Sequence, residues 1–285
     1  FDLVSISYLD NGTDFSELIQ AYEQSEEEGE IPLEVVALNQ VSYKIADARV
    51  NFRDQERSLE SLSEATALLD DIQEDSKRKL ELKRRIAYVE FLSGFHHGED
   101  SVKLISKIDK VLSLDRALGK EDLKVLFYRS ALAALHGEEH VTLTELRGKV
   151  KSDSLYMVEF VEGLLHLNEG EIRKAKRLFH EVSYAGNPYV ASWARVADIA
   201  INAKQGNDDL VKSLLQRANR QLDNHSNRVY SLNSSAAVQD TIARELGFSV
   251  PAKRKGQKIN RNKISVVHRA LLDLVQEEEL ERIAS

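Results

Sequence analysis

The chain has 285 residues and 32.2 kDa, with 42% hydrophobic and 30% charged residues, a formal net charge of −8 and no cysteine. This describes a folded chain long enough to bury a sizeable core. It excludes disulfides, cysteine-ligated zinc and thiol catalysis, and no window approaches the roughly 18 consecutive apolar residues of a membrane-spanning helix.

Three prolines and 13 glycines are too few for the turns of an all-β domain or the Gly-rich loops of an α/β fold. Leu, Ala, Glu, Lys, Arg and Gln, which lose least side-chain freedom in a helix, supply much of the remainder. The predicted fold class is therefore all-α. The compartment stays open between the cytoplasm and an exported or periplasmic location. A first residue of Phe rather than Met is expected to mean that a targeting segment or a further part of the protein lies upstream.

In chain order, residues 1–31 read as a leading segment. Val4, Ile6 and Tyr8 alternate with serines before Asn11-Gly12, a short extended piece and a turn, and the acidic run Glu23 to Glu30 follows. Pro32 suits the first turn of a helix whose apolar positions Val35, Val36, Leu38, Val41, Ile45 and Ala48 recur at helical spacing. After a break near Asp54, the stripe Leu59, Leu62, Ala65, Leu69 and Ile72 predicts its antiparallel partner.

From residue 77 the helix–turn–helix unit recurs, marked by Gly98, Gly137, Gly170 and Gly206 at intervals of 39, 33 and 36 residues. A glycine there supplies the left-handed conformation that closes a helix, and a polar residue follows to start the next. The clearest pair carries Met157, Phe160, Val161, Leu164 and Leu167 before Gly170, then Ile172, Ala175, Leu178, Phe179 and Val182 after it. The repeat domain is assigned to residues 32–247, with Gly247 closing its last helix. Residues 248–263 are a basic linker. Residues 264–285 form a C-terminal amphipathic helix along Ile264, Val267, Leu271, Leu274, Val275, Leu280 and Ile283, expected to cap the last repeat, with self-association through it left open.

The run Glu162-Gly163-Leu164-Leu165-His166-Leu167-Asn168-Glu169-Gly170-Glu171, followed by Ala175, Phe179 and Pro188, resembles a tetratricopeptide repeat in its small, turn, aromatic and terminal proline positions. The resemblance covers about residues 80 to 222. It departs at Glu159, Glu162 and His166, where the family prefers a large aromatic, an aliphatic and a tyrosine. It implies an α-α superhelix, a solenoid of antiparallel helix pairs. Its concave face would hold a protein or peptide partner as a scaffold, adaptor or sensor module, without catalysis.

Candidate partner anchors are the aromatics Tyr128, Tyr156, Phe160, Tyr184, Tyr189 and Trp193, since peptide grooves use rigid aromatic contacts. Repeat interfaces consume most large side chains, so the majority of these are expected in the core. The basic patch Lys253, Arg254, Lys255, Lys258, Arg261 and Lys263 is compatible with phosphates, but it lacks interleaved aromatics, which weighs against nucleic acid. Its simpler role is a solvated linker. His96-His97, beside Glu99 and Asp100, is the densest group of potential metal ligands. Adjacent helical side chains point about 100° apart, so the pair reads as a solvated helix end. His136, His140, His166 and His180 form no ligand spacing, and no phosphate loop, Gly-x-Ser-x-Gly turn or dinucleotide fingerprint occurs. The sequence thus assigns no catalytic residue, metal or cofactor. Its second reading is a sensor domain of a larger signalling protein that binds a small ligand or peptide.

Overall fold

A computed structural model describes residues 33–51, 54–73, 76–225, 230–248 and 264–273. Every regular element among them is helical, in agreement with the composition, and none is a strand. Their packing divides the chain into two compact units, one of residues up to 94 plus 106–121, the other of residues 95–105 and 122 onward.

Unit 1 is built from α1 (Leu33–Val50), α2 (Gln55–Asp71), most of α3 (Lys77–His96) and most of α4 (Ser101–Ala117). The expected break falls at Asp54, whose side chain caps α2 by accepting from Arg57 N at 3.3 Å. Val41, Ile45, Ala48, Leu62, Ala65, Leu69, Leu82 and Ile86 form one buried aliphatic cluster. Complete burial contributes roughly 1.5–3 kcal/mol for each large aliphatic side chain. The face that α2 buries differs from the predicted stripe. Ser58 and Ser61 are inside and Leu59 is 38% exposed. The reason is polar: Ser58 Oγ donates to Ala48 O at 2.9 Å and Ser61 Oγ to Asp47 Oδ2 at 2.5 Å, which draws the serine edge onto α1.

Unit 2 contains α5 (Leu123–Ala134), α6 (Val141–Lys149), a 3₁₀ turn (Ser152–Ser154), α7 (Tyr156–Asn168), α8 (Ile172–Val182), α9 (Pro188–Lys204), α10 (Asp208–His225) and α11 (Tyr230–Glu245), with a helical stretch at 266–273. Sequence neighbours pack as pairs, α5 with α6, α7 with α8 and α9 with α10. Gly170 shows how each turn is made. At φ +76° it is left-handed, Glu171 N donates to His166 O at 2.8 Å and Gly170 N to Leu167 O at 3.2 Å, so two orphan carbonyls of α7 are satisfied. Gly137 and Gly206 repeat the geometry, so the predicted glycine punctuation is present.

One ring organises this unit. Trp193 is 1% exposed, and its centroid lies 5.7 Å from Phe95, 6.2 Å from Phe127, 5.8 Å from Phe160 and 6.3 Å from His268. These residues come from the end of α3, α5, α7 and the stretch 266–273 respectively. An array in which each repeat touched only its neighbours would not bring them together. Ile264, Val267, His268, Leu271 and Leu272 are all buried, so 264–273 is a core element of unit 2. The remainder of the predicted C-terminal helix, the leading segment 1–31 and the basic patch Lys253 to Lys263 lie outside the described residues.

Candidate functional site

The burial sorts the six aromatic candidates. Phe160 and Trp193 are at 0% and 1% exposure and belong to the core, where they cannot touch a partner. Tyr128 and Tyr156 are half-buried, Tyr128 edge-on to Phe95 with ring centroids 4.9 Å apart and Tyr156 accepting at its hydroxyl from Asn187 Nδ2 at 3.2 Å. Only Tyr184 and Tyr189 stand out to solvent, at 53% and 41%. Four of the six are therefore buried or half-buried by packing, and the exposed tyrosines lie at the corner between α8 and α9.

That corner is set by local chemistry. Asn187 caps α9, its Oδ1 accepting from Tyr189 N at 3.0 Å and Val190 N at 3.3 Å, with Pro188 pre-set in the first turn. About two turns further on, Arg195 and Asp198 fall on the same face at i, i+3 and look toward the end of α8 and the middle of α10. The result is a shallow, open cleft lined by His180, Ser183, Arg195, Asp198, Leu214 and Arg217.

Its charges are unevenly matched. Arg195 is half-buried and held by one bond, Nη2 donating to Ser183 O at 2.8 Å. Burial first, and then the like charge of Arg217, hold its guanidinium below the ordinary value. Arg217 lies over the Tyr184 ring at 4.5 Å, a cation–π contact that fixes the guanidinium plane. Neither arginine takes part in an ion pair with a described carboxylate. Asp198 is 4% exposed, and burial pushes its carboxyl upward against His180, Lys176 and Asn202, which act to lower it. It is also already engaged, by Asn202 Nδ2 at 2.9 Å and His180 Nδ1 at 3.6 Å.

A second polar group sits at the Gly170 turn. His166 Nδ1 faces Glu171 Oε2 at 2.7 Å and Glu169 Oε2 at 3.2 Å, and the ligand atoms of all three lie within 4.8 Å of one another. Lys174 Nζ occupies Glu171 at 2.8 Å, and its hydrogen bond is the first cause that lowers the Glu171 carboxyl. The group is an ion-pair network on an open turn. His136 and His140 do local work, bonded to Ser101 and capping α6 through Thr142 N.

His96-His97 departs from the sequence reading of a solvated helix end. His97 is 4% exposed, and Nδ1 of each ring is enclosed. The cause is the stretch 264–273, whose Ile264 carbonyl and Arg269 side chain lie against Gly98. His268 from this stretch is fully buried, its Nε2 bonded to Ser235 Oγ and its Nδ1 to Ser265 Oγ, each at 2.8 Å. The Ser235 hydroxyl meets Ser192 Oγ at 2.9 Å. Burial drives His268 down to about 3 and His96 to about 4, so both rings are neutral at physiological pH. A Ser–His contact sealed in this way has no room for a substrate and acts as a core hydrogen-bond chain.

The sequence overlooked Arg195, Asp198 and Arg217 because they are spread over two helices with no motif spacing. The absence of an acidic partner three or four positions from Arg217 was the one available signal: Ser213, Leu214, Arg220 and Gln221 stand there. Comparison with family models, with curated proteins and with solved structures gives no match. No helix among the described residues is long and apolar enough to cross a membrane.

Proposed function

We propose that the chain is a non-enzymatic interaction protein that engages a protein or peptide partner at the α8–α9–α10 corner of unit 2. The observation that carries this reading is a corner that exposes Tyr184, beneath Arg217, and Tyr189, and whose Arg195 and Arg217 form no ion pair with a described carboxylate. Tyrosine and arginine are over-represented at the energetic centres of interfaces, tyrosine for its rigid amphipathic area and arginine for its planar fork of donors. The resemblance of residues 162–188 to a tetratricopeptide repeat supports a helix-pair array used for holding a partner. Phe160 and Trp193 are buried, which favours this exposed corner as the contact surface.

The reading is tested by affinity capture from the source cell's lysate with the wild-type chain and with a Tyr184→Ala/Arg217→Gln variant. A partner held by the wild type and lost by the variant, with the melting temperature unchanged, supports it. Capture that survives the double substitution, or that depends instead on the remote exposed Val102, overturns it.

A further inference from the structure

We infer that the cleft between α8, α9 and α10 is a receptor for a tetrahedral, phosphate-type oxyanion, carried by the partner segment that docks at this corner. The inference rests on the partner reading above for the source of the anion, but not for the site itself. Its first support is an electrostatic imbalance. Arg195 and Arg217 come from different helices to line one cleft, and Arg195 there bears the cost of burial first and then the opposing charge of Arg217. Two guanidiniums that act on each other across a half-buried space raise the energy of the empty site, and an anion between them removes that cost.

The second support is that no described residue performs that task. Asp198, the one carboxylate lining the cleft, lies within ion-pair reach of His180 and hydrogen bonds with Asn202, and Lys176 binds the other atom of the same amide, Asn202 Oδ1, at 2.5 Å. The arginine N–H groups are therefore the unused donors. Arg195 has one of its five bonded, to Ser183 O, and Arg217 is held by its face on Tyr184, which leaves its N–H edge open.

The third support is shape. A carboxylate offers two coplanar oxygens and is satisfied by a single guanidinium fork. Two forks reaching one space from separate helices suit an anion whose oxygens point in several directions. The cleft opens to solvent, so the anion would sit at its mouth, between the two guanidiniums, rather than in an enclosed pocket. Arg217, exposed and stacked, is the adaptable half of the clamp; Arg195, tied to the Ser183 carbonyl, is the fixed half.

The test is a thermal-denaturation series on the full chain at constant pH and ionic strength, with chloride replaced stepwise by inorganic phosphate or by acetate. Phosphate is expected to give a saturable rise in melting temperature of about 3 °C, acetate much less. The Arg217→Gln variant should lose that rise. Its melting temperature without phosphate should equal or exceed the wild-type value, because the repulsion on Arg195 has been removed, and this result also establishes that the variant folds. Arg217→Lys, which keeps the charge but not the fork, should retain only part of the response. A phosphoserine tripeptide should bind more tightly than inorganic phosphate if the oxyanion is peptide-borne. Equal effects of phosphate and acetate, or an undiminished response in Arg217→Gln, overturn the oxyanion site. Weaker binding of the tripeptide than of phosphate overturns the peptide-borne form alone, and the partner reading is then judged separately by its capture experiment.

Discussion

The two units are held together by different means. Unit 1 has an aliphatic core drawn from three successive helices, with a buried bidentate pair in which Arg84 Nε and Nη2 reach the Asp115 carboxylate at 2.8 and 3.2 Å. Unit 2 is organised around a single indole, and it holds every one of the eight histidines. Aliphatic stripes fasten a helix to the next helix in sequence. A large ring with neighbours on many sides fastens elements that are distant in sequence. The difference predicts local failure in unit 1 and collective failure in unit 2.

The largest expected effect is that of Trp193→Ala, which should cost about 4 kcal/mol through lost burial and the cavity left behind. Leu69→Ala, at 1% exposure in unit 1, should cost about 3 kcal/mol. The sharper readout is where hydrogen exchange accelerates. For Trp193→Ala it should do so in α5, α7, α9 and 266–273 together; for Leu69→Ala it should stay within α1 to α3. Loss of protection confined to α9 and its sequence neighbours would break the contrast between the units.

Acid sensitivity should also separate them. His268 is held at about 3 and His96 at about 4 by burial, against an unfolded value near 6.5. Between those limits the unfolded chain binds more protons than the folded one. The stabilisation is thus complete above about pH 6.5 and is lost as pH falls toward 4 and 3. From pH 7 to pH 4 His268 alone should account for about 3 kcal/mol. The lone tryptophan reports unit 2, so the urea midpoint by its fluorescence should fall over this range, and His268→Gln should flatten the fall. A midpoint that falls equally in His268→Gln would place the acid sensitivity in carboxylates instead.

The sequence made the local order of this contrast legible and concealed its closure. Stripes such as Met157–Phe160–Val161–Leu164 and the left-handed glycines report only the few residues around them, and they located the helices and turns of both units. Leu59 was misplaced because hydrophobicity carried no information about Ser58 bonding the Ala48 carbonyl. The burial of His96-His97 was hidden because the covering stretch lies some 170 residues downstream, and no spacing rule reaches that far. The candidate cleft was hidden because its residues are spread over three helices with no motif spacing. Tyr184 could be picked out as an exposed aromatic, but the arginine it supports comes from another helix.

The smallest expected effect tests that closure most directly, through two glycines that share a backbone conformation and differ in surroundings. Gly170, at φ +76°, has open space where a Cβ would stand, so Gly170→Ala should cost only the left-handed strain of about 1 kcal/mol. Gly98, at φ +69°, would place a Cβ 2.5 Å from the Ile264 carbonyl and 2.4 Å from Arg269 Nη2. The arginine end can swing aside. The carbonyl belongs to the backbone of a buried element and cannot, so Gly98→Ala should cost about 2 kcal/mol or more, with exchange accelerating in 264–273. Urea denaturation of the two variants side by side isolates the contact, because the strain is common to both. Equal costs would mean that 264–273 does not press on the His96–Gly98 corner, and unit 2 would then be a linear stack with the same local failures as unit 1.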